Sequence, residues 1–322
     1  MHKNIAIVAG GDSSEYEVSL NSAKGLMGFI PDDYHKEVLL IRGKEWNVLR
    51  GEEKLPVDRN DFSFVDPEKG KVVFDYAYIT IHGTPGENGI FEGYLRLMGI
   101  PFSTCDVLPS AMTFNKFACN NFLRSFGLNV AKSIVVRSGE RVETAKVVEE
   151  LGLPVFVKPS VGGSSYGVTK VKRAEDLQEA IKKAFAEGEE VLIEAFMEGI
   201  ELTNGMYRTK TKECVFPVTE IATKNEFFDY EAKYLGKVDE ITPARISDEL
   251  AKRIQETTRK IYGLLGAHGI IRVDYIVGKG DVIKFLEVNT TPGMTTASII
   301  PNALEKVGID IREVMKDIIE DR

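Results

Sequence analysis

Hydrophobic positions along the chain fall into two rhythms. Asn4 to Ala9 is apolar almost without a break and stops at Gly10-Gly11, which predicts a buried strand and a turn. Ser14 and Glu17 then stand at capping-box spacing before a helix that runs to about Met27. Glu37 to Ile41 and Tyr76 to Ile81 repeat the short apolar run, so the start of the chain is expected to be an open α/β unit. Its last strand leads into His82-Gly83-Thr84-Pro85-Gly86-Glu87-Asn88-Gly89, a glycine-rich loop at a strand's carboxyl end, where such sheets hold ligands. His82 there suits a general base, an electrostatic helper or a hydrogen-bonded loop residue.

Past a linker expected at Pro101 to Pro109 the rhythm changes. A helix over Lys116 to Phe126 and a strand over Ala131 to Val136 open a second unit. Helices at Thr144 to Leu151 and Ala174 to Ala186, with strands at Val155 to Lys158, Val168 to Val171 and Val191 to Glu194, predict helices on one side of a small antiparallel sheet. The intervening VKPSVGGSSYGV places glycines and serines behind Lys158. It fits a flap whose backbone N–H groups close on anionic oxygens, or a plain hairpin turn, and it lacks the spacing of a P-loop. VLIEAFMEGIE sets Glu194, Glu198 and Glu201 around Phe196 and Met197, a pattern that in a hinge offers backbone groups to a purine and a carboxylate to ribose hydroxyls. Glu201 to Arg208 and Glu213 to Glu220 are expected to pair. Thr223 to Pro243, polar and laced with aromatics, is long for a loop and predicts a lid. An amphipathic helix over Asp248 to Leu265 and closing helices near Ser298 to Val307 and Ile311 to Glu320 follow.

Between these helices, Gly269 to Ser298 reads as two strands joined at Gly278-Lys279-Gly280 and followed by a Pro292-Gly293 loop. A turn centred on Lys279-Gly280 sets Arg272 opposite Glu287 and Asp274 opposite Phe285. Period-two alternation then puts Arg272, Asp274, Glu287 and Asn289 on one face and the apolar residues on the other, with Lys284 as the exception. Two carboxylates and an amide oxygen beside a cation suit Mg2+ when nucleotide phosphates complete its shell. The same residues also fit a cross-strand Arg-Glu pair on a solvated hairpin.

Composition narrows the classes. A chain of 322 residues predicts two or three domains, and 43% hydrophobic with 28% charged residues is ordinary for a globular protein. A net charge of −8 argues against general nucleic-acid binding and leaves room for a local basic phosphate pocket. Cys105, Cys119 and Cys214 are far apart with no CxxC, which suggests neither a disulfide framework nor a zinc site and fits a reducing cytosol. The apolar run at the N-terminus is too short for a signal-peptide core, and no later run reaches membrane-span length, so neither export nor an anchor is expected. GGDSSE lacks the dinucleotide fingerprint, which disfavours a nicotinamide dehydrogenase. Glu15 in the first helical turn matches the macrodipole whether or not it binds a ligand.

GGDSSEYEVSL, HGTPGENG, FVKPSVGGSSYGV, EFFDYEAKY, IIRVDYIV and LEVNTTPGMTTAS, in this order, resemble the ATP-grasp superfamily and within it the D-alanine–D-alanine ligases, over essentially the whole chain. The resemblance implies α/β and α+β construction in a three-domain ATP-grasp architecture: an open α/β substrate domain over 1–104, a central subdomain with the glycine flap over 105–195, and a C-terminal subdomain with lid and metal site over 196–322. It implies ATP between the last two. Lys116, Lys158 and the flap residues Gly163 and Ser165 would meet phosphates, Glu194 and Met197 the adenine, Glu201 the ribose, and Phe227 and Leu286 the purine faces. Asp274, Glu287 and Asn289 would hold two Mg2+ ions, or Mn2+ in their place.

On the substrate side the resemblance implies Glu15 for the ammonium of the first D-alanine with His82 nearby. Arg272 and the Gly293 N–H would serve the developing oxyanion, and Lys233, Ser298 and Ile299 the second carboxylate. Glu15, Ser164 and Tyr234 would form a bridge between first domain, flap and lid. The expected activity is ATP-dependent joining of two D-alanines through an acyl phosphate, for peptidoglycan precursors, by a cytoplasmic homodimer with no nucleic-acid or membrane partner. Another ATP-grasp carboxylate-amine ligase, or a D-alanine–D-lactate ligase, is the alternative. Asn115, Asn120 and Gly162 depart from the family pattern, and they touch the expected ATP contacts more than the catalytic ones.

Overall fold

The computed structural model of the chain describes residues 3–163, 166–223 and 238–321. Strand β1 (Asn4–Gly10), buried along nearly its whole length, pairs in parallel with β2 (His35–Arg42) and β7 (Tyr76–Ile79), and helix α1 (Tyr16–Phe29) forms the crossover. Beyond β2 the sheet continues as an antiparallel meander through β3 (Glu45–Arg50), β4 (Glu53–Asp58), β5 (Ser63–Asp66) and β6 (Gly70–Val73). The apolar-run pattern does not reveal these four strands because they are short and three of them, β3, β4 and β6, are half-exposed or exposed along most of their length, while the buried positions of β5 include the polar Ser63 and Asp66.

Two local expectations change here. Ser14 and Glu17 form no capping box. Helix α1 starts at Tyr16 behind Glu15, which makes no side-chain cap bond. Instead the Ser13 hydroxyl accepts from the Glu15 N–H (3.2 Å) and donates to the His82 carbonyl (2.7 Å), tying the two glycine-bearing loops together. The linker expected at Pro101 to Pro109 is instead partly helix. After α2 (Ile90–Met98), helix α3 spans Val107–Phe114 with Asp106 as its cap, and Pro109 sits in the first turn, where a missing N–H costs no intrahelical bond. Asn115 then ends α3 and caps α4 (Lys116–Ser125), its Oδ1 accepting from the Ala118 N–H at 2.8 Å.

A four-stranded antiparallel sheet follows in the order β10-β9-β11-β8, from β8 (Ser133–Arg137), β9 (Val155–Pro159), β10 (Thr169–Val171) and β11 (Glu190–Ala195). Helices α5 (Thr144–Leu151) and α6 (Leu177–Phe185) cover it, and Val147, Leu177 and Ala184 pack on Val155, Val157 and Val191. This is the layer the sequence predicts.

The third sheet runs β15-β14-β12-β16-β17, with β13 (Glu213–Val215) also on β12. Its strands are β12 (Ile200–Arg208), β14 (Thr219–Thr223), β15 (Val238–Ile241), β16 (Ile271–Gly278) and β17 (Val282–Asn289). Helix α7 (Asp248–Leu265) lays Leu250, Ile254, Ile261 and Leu265 against Val273, Tyr275 and Val277. Each such buried side chain contributes about 1.5–3 kcal/mol, so this face anchors the sheet and frees the other for ligands. The ends of the segment expected as a lid are strand, in β14 and β15; most of it lies outside the described residues.

The hairpin register also differs from expectation. Arg272 pairs with Asn289 and Asp274 with Glu287, whereas Tyr275 pairs with Phe285. The turn is one residue longer than assumed, closing at Gly278 and Val282, and a bulge between Asp274 and Tyr275 leaves Leu286 as the extra residue on β17. Two one-residue shifts cancel in phase. Arg272, Asp274, Glu287 and Asn289 therefore still share one face, while Phe285 joins Tyr275 in the core and Lys284 leaves it.

Candidate active site

The three sheets meet at a cavity of about 410 Å³. Glu15 and His82 reach it from the loops after β1 and β7, Lys116 from the start of α4, and Gly163 from the flap. Arg272, Glu287 and Asn289 come from the hairpin, with Gly293, Ser298 and Ile299 following. Residues nearly three hundred positions apart thus line one space. The loop after β17 is seated by close packing on α1: the Met294 N–H donates to the Ser22 hydroxyl at 3.2 Å, and a Cβ at Gly25 would lie 2.0 Å from the Met294 carbonyl. Only glycine permits that approach, which holds Gly293 over the cavity.

Arg272 is the electrostatic centre. Its Nε and one terminal nitrogen donate to the two carboxylate oxygens of Asp274 at 2.9 and 2.8 Å, a fork within one strand face. The Thr203 hydroxyl from β12 donates to the same carboxylate at 2.6 Å. Burial works against the guanidinium charge, and Asp274 outweighs it, so Arg272 is held firmly protonated. Asp274 does not itself line the cavity; Glu287 does, with the Lys116 ammonium 3.8 Å away. The Asn289 oxygen accepts from the Thr291 N–H at 3.0 Å. Hard oxygen donors therefore gather beside Lys116 and Arg272. Among the described residues no cluster of three or more His, Cys, Asp or Glu side chains is arranged to hold a metal ion by itself, so a cation here would take further oxygens from its ligand.

The flap closes the other side. Lys116 Nζ donates to the Gly162 carbonyl at 2.5 Å, and a Cβ at Gly163 would stand 2.5 Å from a Glu15 carboxylate oxygen. The flap backbone is thus packed directly on the Glu15 carboxylate. His82 is 4% exposed, and its Nε2 has no hydrogen-bond partner, leaving a buried ring nitrogen at the cavity wall.

Several expected residues lie elsewhere. Lys158 and Glu194 form a buried ion pair across β9 and β11, and the Asn120 amide donates to Glu194 at 2.7 Å. Asn120, a departure from the family pattern, thus stands beside this pair as a neutral donor, with its own amide oxygen buried and unpartnered. Asn115, another departure, accepts from the Ser160 hydroxyl at 3.1 Å and binds α4 to the flap's root. Met197 and Leu286 are half-buried outside the cavity lining, as is Glu201 on β12 opposite Ile276. Ser164, Ser165, Phe227, Lys233 and Tyr234 lie outside the described residues.

Two lining carboxylates went unassigned in the sequence. Glu87, inside HGTPGENG, accepts from the Gly83 N–H at 2.6 Å; burial pushes its carboxyl up, opposed by His82. Its place in the quoted motif was the available signal. Glu240 was hidden in the segment read as a loop, and only its alternation on β15 could have shown it.

Comparison with known proteins agrees over the whole chain. The family profile described as "D-ala D-ala ligase N-terminus" matches residues 4–105, and "D-ala D-ala ligase C-terminus" matches residues 122–320. The D-alanine--D-alanine ligase of Bacteroides fragilis is 57% identical over 324 residues, covering 100% of each chain. That of Porphyromonas gingivalis is 49% identical over 320 residues, covering 98% of this chain and 97% of the other. Among solved structures, the VanG D-Ala:D-Ser ligase of Enterococcus faecalis superposes with a TM-score of 0.88 at 33% identity, covering 99% of both chains. D-alanyl-alanine synthetase A of Vibrio cholerae gives 0.87 at 27% identity, covering 99% of this chain and 98% of that one.

Proposed function

Because the chain belongs to the D-alanine–D-alanine ligase family, with ATP-grasp architecture, we propose that the three-sheet cavity is where its reaction takes place and that the residues lining it do the chemistry. The protein is an ATP-dependent ligase that joins two D-alanines into D-alanyl-D-alanine, a peptidoglycan precursor. One observation carries the site assignment: Glu15, Lys116, Arg272, Glu287 and Gly293, remote in sequence, line a single space under the flap.

A carboxylate is a poor electrophile, so the first D-alanine is activated. Its carboxylate oxygen attacks the γ-phosphorus, the bond to the departing ADP oxygen breaks, and an acyl phosphate forms. Glu15 takes the ammonium of that D-alanine, with His82 beside it. Lys116 would face the phosphates, with Gly163, Ser164 and Ser165 of the flap as further partners, and Lys158, now paired with Glu194, would join them only on release of that pair. In a nucleotide site adjoining the cavity, Glu194 and Met197 would serve the adenine, Glu201 the ribose, and Phe227 and Leu286 the purine faces. Glu287 and Asn289 would hold Mg2+ from the cavity side, while Asp274, the third expected ligand, has both oxygens engaged by Arg272 and would reach the ion only by giving up one of those bonds; bound with ATP, the ion would supply charge neutralisation on the phosphates.

The amine of the second D-alanine, having shed a proton, then attacks the acyl carbon. Arg272 and the Gly293 N–H stabilise the oxyanion, the carbon–oxygen bond to phosphate breaks, and phosphate leaves. The Asp274 fork fixes the guanidinium for this step before substrate arrives. Lys233, Ser298 and Ile299 receive the second carboxylate. Ser164 and Tyr234 join Glu15 in a latch that keeps water from the acyl phosphate. The reading divides the chain at 1–104, 105–195 and 196–322 and places the enzyme in the cytoplasm as a homodimer. Among the described residues no helix is long and apolar enough to cross a membrane.

The test is phosphate release with product analysis across D-alanine, L-alanine and D-lactate. Release that requires ATP and D-alanine, with one dipeptide formed per phosphate, is expected. Equal release with L-alanine, or release without dipeptide, contradicts the reading.

A further inference from the structure

Two amino acids enter the cavity, and each brings an ammonium group. The carboxylates lining the space, among the described residues, are Glu15, Glu87, Glu240 and Glu287. Their surroundings assign three of them. Glu15 lies under flap residue Gly163, Glu87 is drawn into its own loop by the Gly83 N–H, and Glu287 sits beside Lys116 and opposite Asp274. Glu240 has none of these partners.

Its position is specific. Glu240 pairs with Ile221, Ile221 with Glu201, and Glu201 with Ile276, so strand alternation puts Glu240 on the sheet face that carries Arg272 and Asp274. Helix α8 (Ile299–Lys306) holds it there: Lys306 Nζ donates to the Glu240 carbonyl at 2.8 Å, and Asn302 meets its carboxylate. The same helix begins at Ser298 and Ile299, so Glu240 borders the end of the cavity that receives the second carboxylate in the reading above. Arg272 acts on it electrostatically from across the face, as Lys306 does from the helix.

Resting on that reading, we infer that Glu240 is a specificity-determining residue for the second substrate, accepting N–H hydrogen bonds from the incoming amino group and selecting an amino acid over a hydroxy acid. The chemistry discriminates in two ways. An amino group offers several N–H donors where a hydroxyl offers one. Zwitterionic D-alanine carries no net charge toward Glu240, whereas D-lactate brings an unbalanced negative charge that the carboxylate repels. Arg272 on the same face then meets the carbonyl the nitrogen attacks, so one sheet face aligns nucleophile and oxyanion.

The experiment uses the full chain with Glu240→Gln, which keeps the shape and the contact with Asn302. Two quantities are read: the KM for D-alanine at each site, and the ratio of D-alanyl-D-alanine to D-alanyl-D-lactate when both acceptors compete. The second-site KM is expected to rise about tenfold, as a loss of ~1.4 kcal/mol gives, with the first-site KM within about twofold. The product ratio shifts toward the depsipeptide by a similar factor, and Glu240→Asp restores part of the preference. Asn302→Ala separates a structural role, because it loosens the helix contact without removing the charge; the product ratio should stay at the wild-type value. An unchanged ratio in Glu240→Gln, or an equal shift in Asn302→Ala, overturns the assignment while leaving dipeptide synthesis intact. A wild-type enzyme that forms no dipeptide overturns the underlying reading as well.

Discussion

Asp274→Asn and Glu287→Gln remove one carboxylate each from the same hairpin face, and the structure makes them unequal. Asp274 receives both fork donors of Arg272 and the Thr203 hydroxyl, and the side chains of the pair are 13% and 9% exposed. Removing one partner of such a pair strands a buried cation, which costs about 3–5 kcal/mol; the amide oxygen retains one acceptor, so ~3 kcal/mol is expected. Glu287 is 30% exposed and faces Lys116 at 3.8 Å, so its neutral variant should change stability by less than ~1 kcal/mol. Both should lose more than about a hundredfold in turnover at ordinary Mg2+, Glu287→Gln by removing charge beside the transferring phosphate and Asp274→Asn by loosening the Arg272 guanidinium it fixes. Urea denaturation gives the first quantity and phosphate release across a Mg2+ titration the second. Equal stability in the two variants refutes the buried fork, wild-type turnover in Glu287→Gln refutes its role at the phosphates, and wild-type turnover in Asp274→Asn refutes its positioning of Arg272.

Two further outcomes follow from burial and close approach. Glu92 on α2 is fully buried, neither carboxylate oxygen has a hydrogen-bond partner, and burial pushes its pKa up to about 8 from 4.5; Ser110 and nearby backbone face it too weakly to offset this. A folded pKa above the unfolded one contributes stability that is full below about pH 4.5 and is lost as pH rises through about 8. At ~1.4 kcal/mol per pH unit the ceiling is on the order of 5 kcal/mol. Glu92→Gln should flatten that fall in urea midpoints taken from pH 5 to pH 9; an unchanged slope would show that Glu92 is ionised throughout. Gly163→Ala places a methyl 2.5 Å from Glu15, so flap closure should fail: kcat falls at least tenfold while the melting temperature stays within a few degrees, and normal kcat would remove the flap from Glu15 during turnover.

The continuous apolar runs were legible from sequence, and so was the chemistry face of the hairpin. Buried parallel strands such as β1 announce themselves, and side-chain period is robust to paired shifts, so Arg272, Asp274, Glu287 and Asn289 share a face although the partners differ. The meander from β3 to β6 stayed hidden because β3, β4 and β6 are half-exposed or exposed along most of their length and look polar, and β5 buries the polar Ser63 and Asp66. Asp274 illustrates what pattern alone does not reveal. Alternation places it on the right face, whereas only the packing of Thr203 and Arg272 around it shows that it is buried and does not line the cavity. Glu240 was missed for the opposite reason, since a four-residue strand within a polar stretch carries too little periodicity to separate it from a loop.

The acyl phosphate is the central chemical claim, and isotope transfer tests it most directly. D-alanine carrying 18O in both carboxylate oxygens is turned over with unlabelled ATP, and the released phosphate is analysed by mass. Attack of the carboxylate on the γ-phosphorus, followed by cleavage of the acyl carbon–oxygen bond, puts one 18O in each phosphate released with dipeptide. Phosphate without label, or label found in AMP, contradicts the account.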